Sequence, residues 1–162
     1  NKKNISIKKI VKKKLNFHAR YSAKEREYEY VILNRVASPI LEKNKVWYLR
    51  SKLDTNLMKK AAKKLIGTHN FNAFRSANCQ ANSPIRTLKK LRIVNKEEKI
   101  IFILRSKSFL KNQVRSIVGC LKYIGQKKWT INDLERVLKS KKRKNCAPPA
   151  PAHGLYLSKI IY

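Results

Sequence analysis

Residues 108–119, SFLKNQVRSIVG, place an arginine beside an apolar helical stripe. Apolar positions in and after this stretch recur at intervals of four and three, the spacing of one helix face: Leu110, Val114, Ile117, Leu121 and Ile124. At about 100° per residue, Arg115 falls at the border between that buried face and water. The position suits either a cation that holds a partner group, or an arginine whose stem covers apolar surface while its charged head stays in water.

The composition is that of a globular domain with an extreme positive charge. The 162 residues, 43% of them hydrophobic, suit one domain over residues 1–162 without an internal linker. The 40 Lys and Arg residues against 9 Asp and Glu residues give a net charge of +31. This charge favours RNA or DNA, because neutralising phosphates releases counterions, and a membrane surface comes second. A lysine-rich composition inherited from an AT-rich coding sequence would need no partner.

The sequence pattern predicts neither a disulfide framework nor a metal site. Cys79, Cys120 and Cys146 are widely spaced and form no C-x-x-C pair, so we expect a reducing compartment. The three histidines have no ligand spacing, and the four glycines form no phosphate-binding loop. We therefore expect no metal and no nucleotide cofactor.

No apolar run of the sequence is long enough to cross a membrane, and the N-terminus has lysines but no signal-peptide core. We therefore expect a cytoplasmic protein that does not bind membranes. The chain begins with Asn1 instead of methionine. We expect translation to begin further upstream.

The predicted strands lie near both ends and in the middle of the chain. Apolar residues among lysines predict a first strand at residues 5–11, and strict alternation over residues 25–33, EREYEYVIL, predicts the clearest one. Residues 86–94 and 99–105 flank a short polar turn, as in a hairpin. The Pro-rich stretch APPAPAHG, residues 147–154, predicts a non-helical loop before a terminal strand.

The predicted helices begin at capping residues. Asp54 precedes a helix that Gly67 is placed to end. The helix that carries Arg115 follows the hairpin. Thr130 and Asp133 then form a capping-box pattern that begins a further short helix. Strands with interspersed helices predict an α+β fold, with helices packed on one face of a mixed or antiparallel sheet.

Five sequence blocks, in the same order, resemble those of the bacterial tRNA pseudouridine synthase A family. They are FHARYSAKEREYEYVILN (17–34), GTHNFNAF (67–74), CQANSPIRTL (79–88), SFLKNQVRSIVG (108–119) and APPAPAHGLYL (147–157). The resemblance implies a pseudouridine-synthase-type fold and isomerisation of uridine to pseudouridine in the tRNA anticodon stem-loop, at tRNA nucleotides 38–40. It also implies no cofactor and a homodimer in the intact enzyme.

The resemblance implies roles for two residues of the active site. Tyr28 matches the family tyrosine that stacks on the flipped uridine, near the proton lost from C5. By its pattern alone, Tyr28 is equally a core aromatic residue of a strand. Arg115 matches the family arginine that pairs with the catalytic aspartate and keeps it ionised.

Further residues of the matching blocks are expected to contact the substrate. Arg20 and His18 fall in the FHAR block, which implies RNA contact. Gly154 and Leu155 are expected to line the pocket from the terminal loop. His153 suits a pocket position and a surface position equally.

The chain departs from the family in lacking its nucleophile. The G-R-T-D-A-G motif that carries the catalytic aspartate is absent. The aspartates present, Asp54 and Asp133, each precede or open a predicted helix, where a carboxylate satisfies free amides. Since the family motif lies before the FHAR block, the chain resembles the C-terminal portion of the enzyme, and we expect it to be inactive alone.

Two other interpretations stay open. A non-catalytic RNA-binding module that kept its hold on tRNA after losing the chemistry would have the same charge. The product of a decayed reading frame would be a half-fold with exposed sheet edges and an unfilled core. Pseudouridine formation restored by an aspartate-bearing half would favour the enzyme, whereas a cooperative melt would argue against the decayed frame.

Overall fold

A computed structural model describes residues 5–162, which form a six-stranded sheet and three α-helices. The strands are β1 (Glu25–Asn34), β2 (Trp47–Leu49), β3 (Gly67–Asn70), β4 (Ile85–Lys96), β5 (Lys99–Ser106) and β6 (Leu155–Ile161). The helices are α1 (Thr55–Lys63), α2 (Gln113–Gly125) and α3 (Ile131–Ser140). Short 3₁₀ turns cover Asn72–Phe74, Arg143–Asn145 and Ala152–Gly154.

Strand β1 organises the sheet, whose order is β2-β1-β5-β4-β3 with β6 also paired to β1. Its first half lies between β5 and β6, and both of these strands run antiparallel to it. Its last residues pair with β5 on one side and run parallel to β2 on the other. Tyr28, in the middle of β1, is therefore hydrogen-bonded into the interior of the sheet, so its backbone is held on both sides.

The helices cover one face of this mixed sheet, and the predicted α+β class is confirmed. Alternation along the strands sends one set of side chains into the core beneath the helices: Tyr30, Ile32, Leu91, Ile93, Phe102 and Leu104. On the opposite face, Glu27 accepts hydrogen bonds from Nε and Nη2 of Arg105 at 2.9 and 2.7 Å. Burial raises the pKa of Glu27, but the Arg105 bonds and the Lys90 charge outweigh it and leave the pKa below its usual value.

Both predicted capping residues are confirmed. The Asp54 carboxylate accepts from the amides of Asn56 and Leu57, and the Thr130 hydroxyl and Asp133 carboxylate form a reciprocal capping box. The predicted end of the first helix is wrong, because α1 ends at Lys63 and tight i→i−3 turns continue to residue 66. Gly67 instead begins β3 with a φ of 106°, a conformation that favours glycine.

The predicted strand at residues 5–11 is wrong. These residues have no regular secondary structure, and Ile7 and Ile10 are 74% and 85% exposed. An apolar segment forms a stable strand only when another strand pairs with it, and no described strand pairs with these residues. Asn1, on which the expectation of an upstream start rests, lies outside the described residues.

A segment that we call the proline loop, residues 146–151, lies directly on α2. A Cβ atom added to Gly119 would meet the carbonyl oxygen of Pro148 well inside van der Waals contact. The amide of Ala150 donates to the carbonyl of Arg115 at 3.0 Å. The predicted non-helical character holds for residues 147–151, but the 147–154 stretch ends in the 3₁₀ turn Ala152–Gly154. Loop and helix therefore touch through backbone atoms.

Replacing Gly119 by alanine should separate the proline loop from α2, because the opposing atom belongs to the backbone and cannot rotate away. We expect Gly119→Ala to lower the free energy of unfolding by about 1–3 kcal/mol, despite the better helix propensity of alanine. Urea denaturation of the purified chain measures this change.

Gly125→Ala is the matched control on the same helix. Its added Cβ would meet Sδ of Met58 at 2.5 Å, the far end of a flexible side chain that can move. The loss of stability should therefore be smaller than for Gly119→Ala. Equal stabilities of the two variants would contradict the close backbone contact.

Candidate active site

The N-terminal end of α2 borders a cleft of about 920 Å³. Its walls come from distant parts of the chain: residues 20–21, 78–81 and 108–115, with Tyr28, Arg86 and Leu155. Four basic side chains line it, Arg20, Arg86, Lys111 and Arg115, and no acidic side chain of residues 5–162 does so. The cleft therefore attracts anions.

Arg115 is half-buried at the rim of α2, as its helical position predicts. Its Nε donates to the carbonyl of Ala150 at 2.6 Å, and its Nη1 donates to Oδ1 of Asn112 at 3.2 Å. No carboxylate of the described chain lies within ion-pair distance of the guanidinium. The stem is thus fixed, while the remaining N–H groups on Nη1 and Nη2 are free to bind an anion.

The turn before α2 sets this geometry. Asn112 has a φ of 66°, in the left-handed region that asparagine tolerates better than most residues. The next residue, Gln113, is 1% exposed and accepts the amide of Leu110 through Oε1 at 2.9 Å. Its Nε2 has no hydrogen-bond partner in the described chain. The cleft wall therefore contains one buried amide donor that the described chain leaves unsatisfied.

Tyr28 lies in the same cleft as Arg115. Its half-buried ring contacts Phe109 edge to face, with ring centroids 5.2 Å apart and planes at 87°. No hydrogen bond to its hydroxyl is present within residues 5–162. Tyr28 is therefore a fixed aromatic ring with a polar group that has no protein partner.

Arg20 and Leu155 also line the cleft. Arg20 is exposed, with its guanidinium 5.6 Å from the ring centre of Tyr21. His18 does not line the cleft. Its Nδ1 accepts the amides of Arg20 and Tyr21 at 3.1 and 3.2 Å, so it shapes the turn that carries Arg20.

The structure places Gly154 and His153 outside the cleft walls. Gly154 is buried against β1, where an added Cβ would lie 2.9 Å from Cζ of Tyr30. His153 is exposed and does not line the cleft, which places it on the surface. Because Gly154 has no side chain, the backbone before β6 can pack closely against the Tyr30 ring.

Several cleft residues were not singled out from the sequence: Phe109, Lys111, Asn112, Gln113, Arg86 and Cys79. All of them fall in two of the blocks quoted above, residues 79–88 and 108–119. Their position in these two family-like blocks was the only sequence signal that could have identified them. They meet in one cleft only because of the way in which β4 and α2 pack.

Tyr30, on strand β1, holds the proline loop through a hydrogen bond. Its side chain has no exposed surface, and its hydroxyl donates to the carbonyl of Pro151 at 2.7 Å. Burial raises the pKa of Tyr30 well above its usual value, although the Arg115 charge opposes this. The hydroxyl therefore stays protonated and remains a donor.

Cations, amides and aromatic rings supply the chemistry of the cleft. The described residues contain no group of three or more His, Cys, Asp or Glu side chains placed to hold a metal ion. No helix within residues 5–162 is long and apolar enough to cross a bilayer.

The profile of the tRNA pseudouridine synthase family matches residues 61–162. The chain belongs to the tRNA pseudouridine synthase family. The matched region contains Arg115, the end of α1 and every element after it. Tyr28 and Arg20 lie before it.

Curated relatives of this pseudouridine synthase family match nearly the whole chain. The tRNA pseudouridine synthase A of Pelagibacter ubique is 52% identical over 100% of the chain, which covers 66% of that relative. The Bartonella quintana protein of the same name is 46% identical over 91% of the chain, and the Caulobacter vibrioides protein 44% over 90%. The chain covers 60% and 59% of these two proteins, so it spans less than two thirds of each relative.

Removing the Tyr30 hydroxyl should loosen the proline loop without disturbing the core. We expect Tyr30→Phe to lower the free energy of unfolding by about 1 kcal/mol, because the Pro151 carbonyl loses its donor. Tyr28→Phe is the matched control, since the Tyr28 hydroxyl has no partner in the described chain. Chemical denaturation compares the two variants, and a Tyr28→Phe loss as large as that of Tyr30→Phe would contradict the assignment.

Proposed function

We propose that this chain supplies the base-stacking and carboxylate-orienting part of a tRNA pseudouridine synthase active site. The reaction isomerises uridine to pseudouridine in the tRNA anticodon stem-loop. The observation that carries the proposal is the Arg115 guanidinium. It is fixed through Nε and Asn112, has no carboxylate partner within residues 5–162, and lies in one cleft with Tyr28.

The free N–H groups of Arg115 suit a carboxylate. A planar guanidinium binds a carboxylate through two parallel hydrogen bonds, which orients it and lowers its pKa. A nucleophilic aspartate held in this way stays ionised. Asp54 and Asp133 do not line the cleft. Asp54 is the N-cap of α1 and Asp133 completes the capping box of α3, so we place the nucleophile outside residues 1–162.

The isomerisation needs a flipped base and a lost proton. The bond from the ribose to the uracil nitrogen N1 breaks and a bond to C5 forms. C5 loses its proton and N1 takes one up, so the product is an isomer with no net oxidation. We assign Tyr28 to stacking on the flipped base, with its hydroxyl near C5. The cleft volume of about 920 Å³ is within the range of small-molecule sites and accommodates a nucleotide.

The charge of the chain supports tRNA as the substrate. Arg20, Arg86 and Lys111 join Arg115 in the cleft, where phosphates can neutralise them. The resemblance to the tRNA pseudouridine synthase A family supports the anticodon stem-loop as the target. It also supports a cytoplasmic homodimer as the intact enzyme.

A chimera tests the catalytic assignment. The segment of the Pelagibacter ubique relative that this chain does not match is fused before Asn1, and tritium released from C5-labelled uridine in tRNA is measured. We expect the chimera to be active and Arg115→Ala to lower kcat/KM by roughly a hundredfold or more. Arg115→Lys should recover only part of the lost kcat/KM, because lysine cannot donate two parallel hydrogen bonds to a carboxylate.

Tyr28→Phe in the same chimera should lower kcat more than it raises KM.

Unchanged rates in the Arg115→Ala chimera would remove this residue from the mechanism. A folded but inactive chimera that still binds tRNA would favour the second candidate function, a non-catalytic tRNA-binding module. The net charge of +31 is the observation that supports this candidate.

Both functions predict that the chain binds tRNA through phosphates. We expect its affinity for tRNA to fall steeply with salt, because each neutralised phosphate releases counterions. Filter binding between about 50 and 200 mM salt measures the slope. A flat response would contradict binding through lysines and arginines.

A further inference from the structure

Two cysteines that are far apart in sequence meet between α2 and the proline loop. Sγ of Cys120, on α2, lies 3.4 Å from Sγ of Cys146, the first residue of the loop. Both are free thiols, as is Cys79. A disulfide requires the two sulfur atoms at about 2.05 Å, so they must approach by about 1.4 Å.

The two thiols have different surroundings. Cys120 has no exposed surface, whereas Cys146 is partly exposed and therefore accessible to a small oxidant. The Cys120 thiol as hydrogen-bond donor and the nearby Arg143 hold the pKa of Cys146 below its usual value, although burial opposes them. Contact with Cys146 and burial raise the pKa of Cys120. Cys146 is thus the better nucleophile of the pair.

The pair is not a metal site. Within residues 5–162, no third His, Cys, Asp or Glu side chain joins the two sulfurs to form a metal-binding group. Structural zinc sites have four such ligands. Two neighbouring thiols without further ligands suit oxidation.

We propose that Cys120 and Cys146 form an oxidation site that hydrogen peroxide converts into an intramolecular disulfide. The Cys146 thiolate attacks one peroxide oxygen, an S–O bond forms, the O–O bond breaks, and the released hydroxide becomes water by taking up a proton. The Cys120 sulfur then attacks the sulfenic acid of Cys146. The S–S bond forms, the S–O bond breaks, and a second water leaves with the Cys120 proton. Two thiols are oxidised while one peroxide is reduced.

The disulfide fastens the proline loop to α2. Ala150, whose carbonyl accepts from Nε of Arg115, lies in the same loop as Cys146. The amide of Ala150 donates to the carbonyl of Arg115, five residues before Cys120. Oxidation therefore restrains the loop that holds the arginine.

Peptide mapping of the purified, reduced chain tests the proposal. The chain is treated with hydrogen peroxide and digested with trypsin without reductant, and the peptides are weighed. We expect peptides 116–122 and 145–159 of the same chain to be joined, with the loss of two hydrogens. Cys79, in peptide 76–86, is the internal control and should form no disulfide, because the close thiol contact in the described chain joins Cys120 and Cys146. Dithiothreitol should separate the joined peptides.

Thermal unfolding and hydrogen exchange provide a second readout. Closing the ring between residues 120 and 146 should raise the Tm of the wild-type chain by about 5–10 °C. The Ala150 amide should exchange more slowly in the oxidised protein. Peroxide should change neither quantity in Cys146→Ser, whose altered side chain is partly exposed and leaves the core intact.

Three results would overturn the proposal. In the first, all three thiols stay intact at a peroxide concentration that oxidises glutathione. In the second, Cys146 is converted to sulfinic acid and no linked peptide forms. In the third, the disulfide joins two chains or involves Cys79. Because these readouts need no catalysis, they can fail or succeed independently of the isomerase assignment.

Discussion

The contact between the proline loop and α2 is the constraint on which the candidate site depends. Gly119 lets the Pro148 carbonyl approach the helix, and Ala150 exchanges two hydrogen bonds with Arg115. From the other side, Tyr30 donates to the carbonyl of Pro151. The loop therefore joins the central strand of the sheet to the helix that carries the arginine, and the direction of the guanidinium follows from both attachments.

The electrostatics of the cleft are incomplete within the described chain. A half-buried arginine is usually stabilised by a carboxylate, whereas Arg115 has a backbone carbonyl and the Asn112 side chain as its partners. These neutral acceptors satisfy part of the guanidinium and leave its charge uncompensated. The three other cations of the cleft add to the same field. An arrangement that binds an anion, whether carboxylate or phosphate, relieves this imbalance.

Sequence patterns predicted the elements whose signal is local. The alternation of β1, the hairpin, the stripe of α2 and the capping box at Thr130 each follow from neighbouring residues, and all are present. Apolar residues among lysines also predicted a strand at residues 5–11, but no described strand pairs with this segment. Strands β2 and β3 are too short to have a pattern of their own. The helical pattern placed Arg115 at the border of the buried face, whereas the roles of Tyr28 and Arg115 in the site came from the family resemblance. Gln113 and Arg86 needed tertiary structure, since only packing brings them into one wall.

The same loop connects the arginine to the cysteine pair. Cys146 begins the loop and Ala150 lies four residues later, with Pro148 and Pro149 between them. Because proline fixes φ, this segment has few accessible conformations. A restraint on Cys146 therefore also restricts the position of Ala150. On the helix, Arg115 and Cys120 are five residues apart on one rigid element. A disulfide between Cys120 and Cys146 would therefore complete a short ring that also contains the hydrogen bonds between Ala150 and Arg115. Oxidation of the cysteine pair would thus restrict the motion of the Arg115 guanidinium.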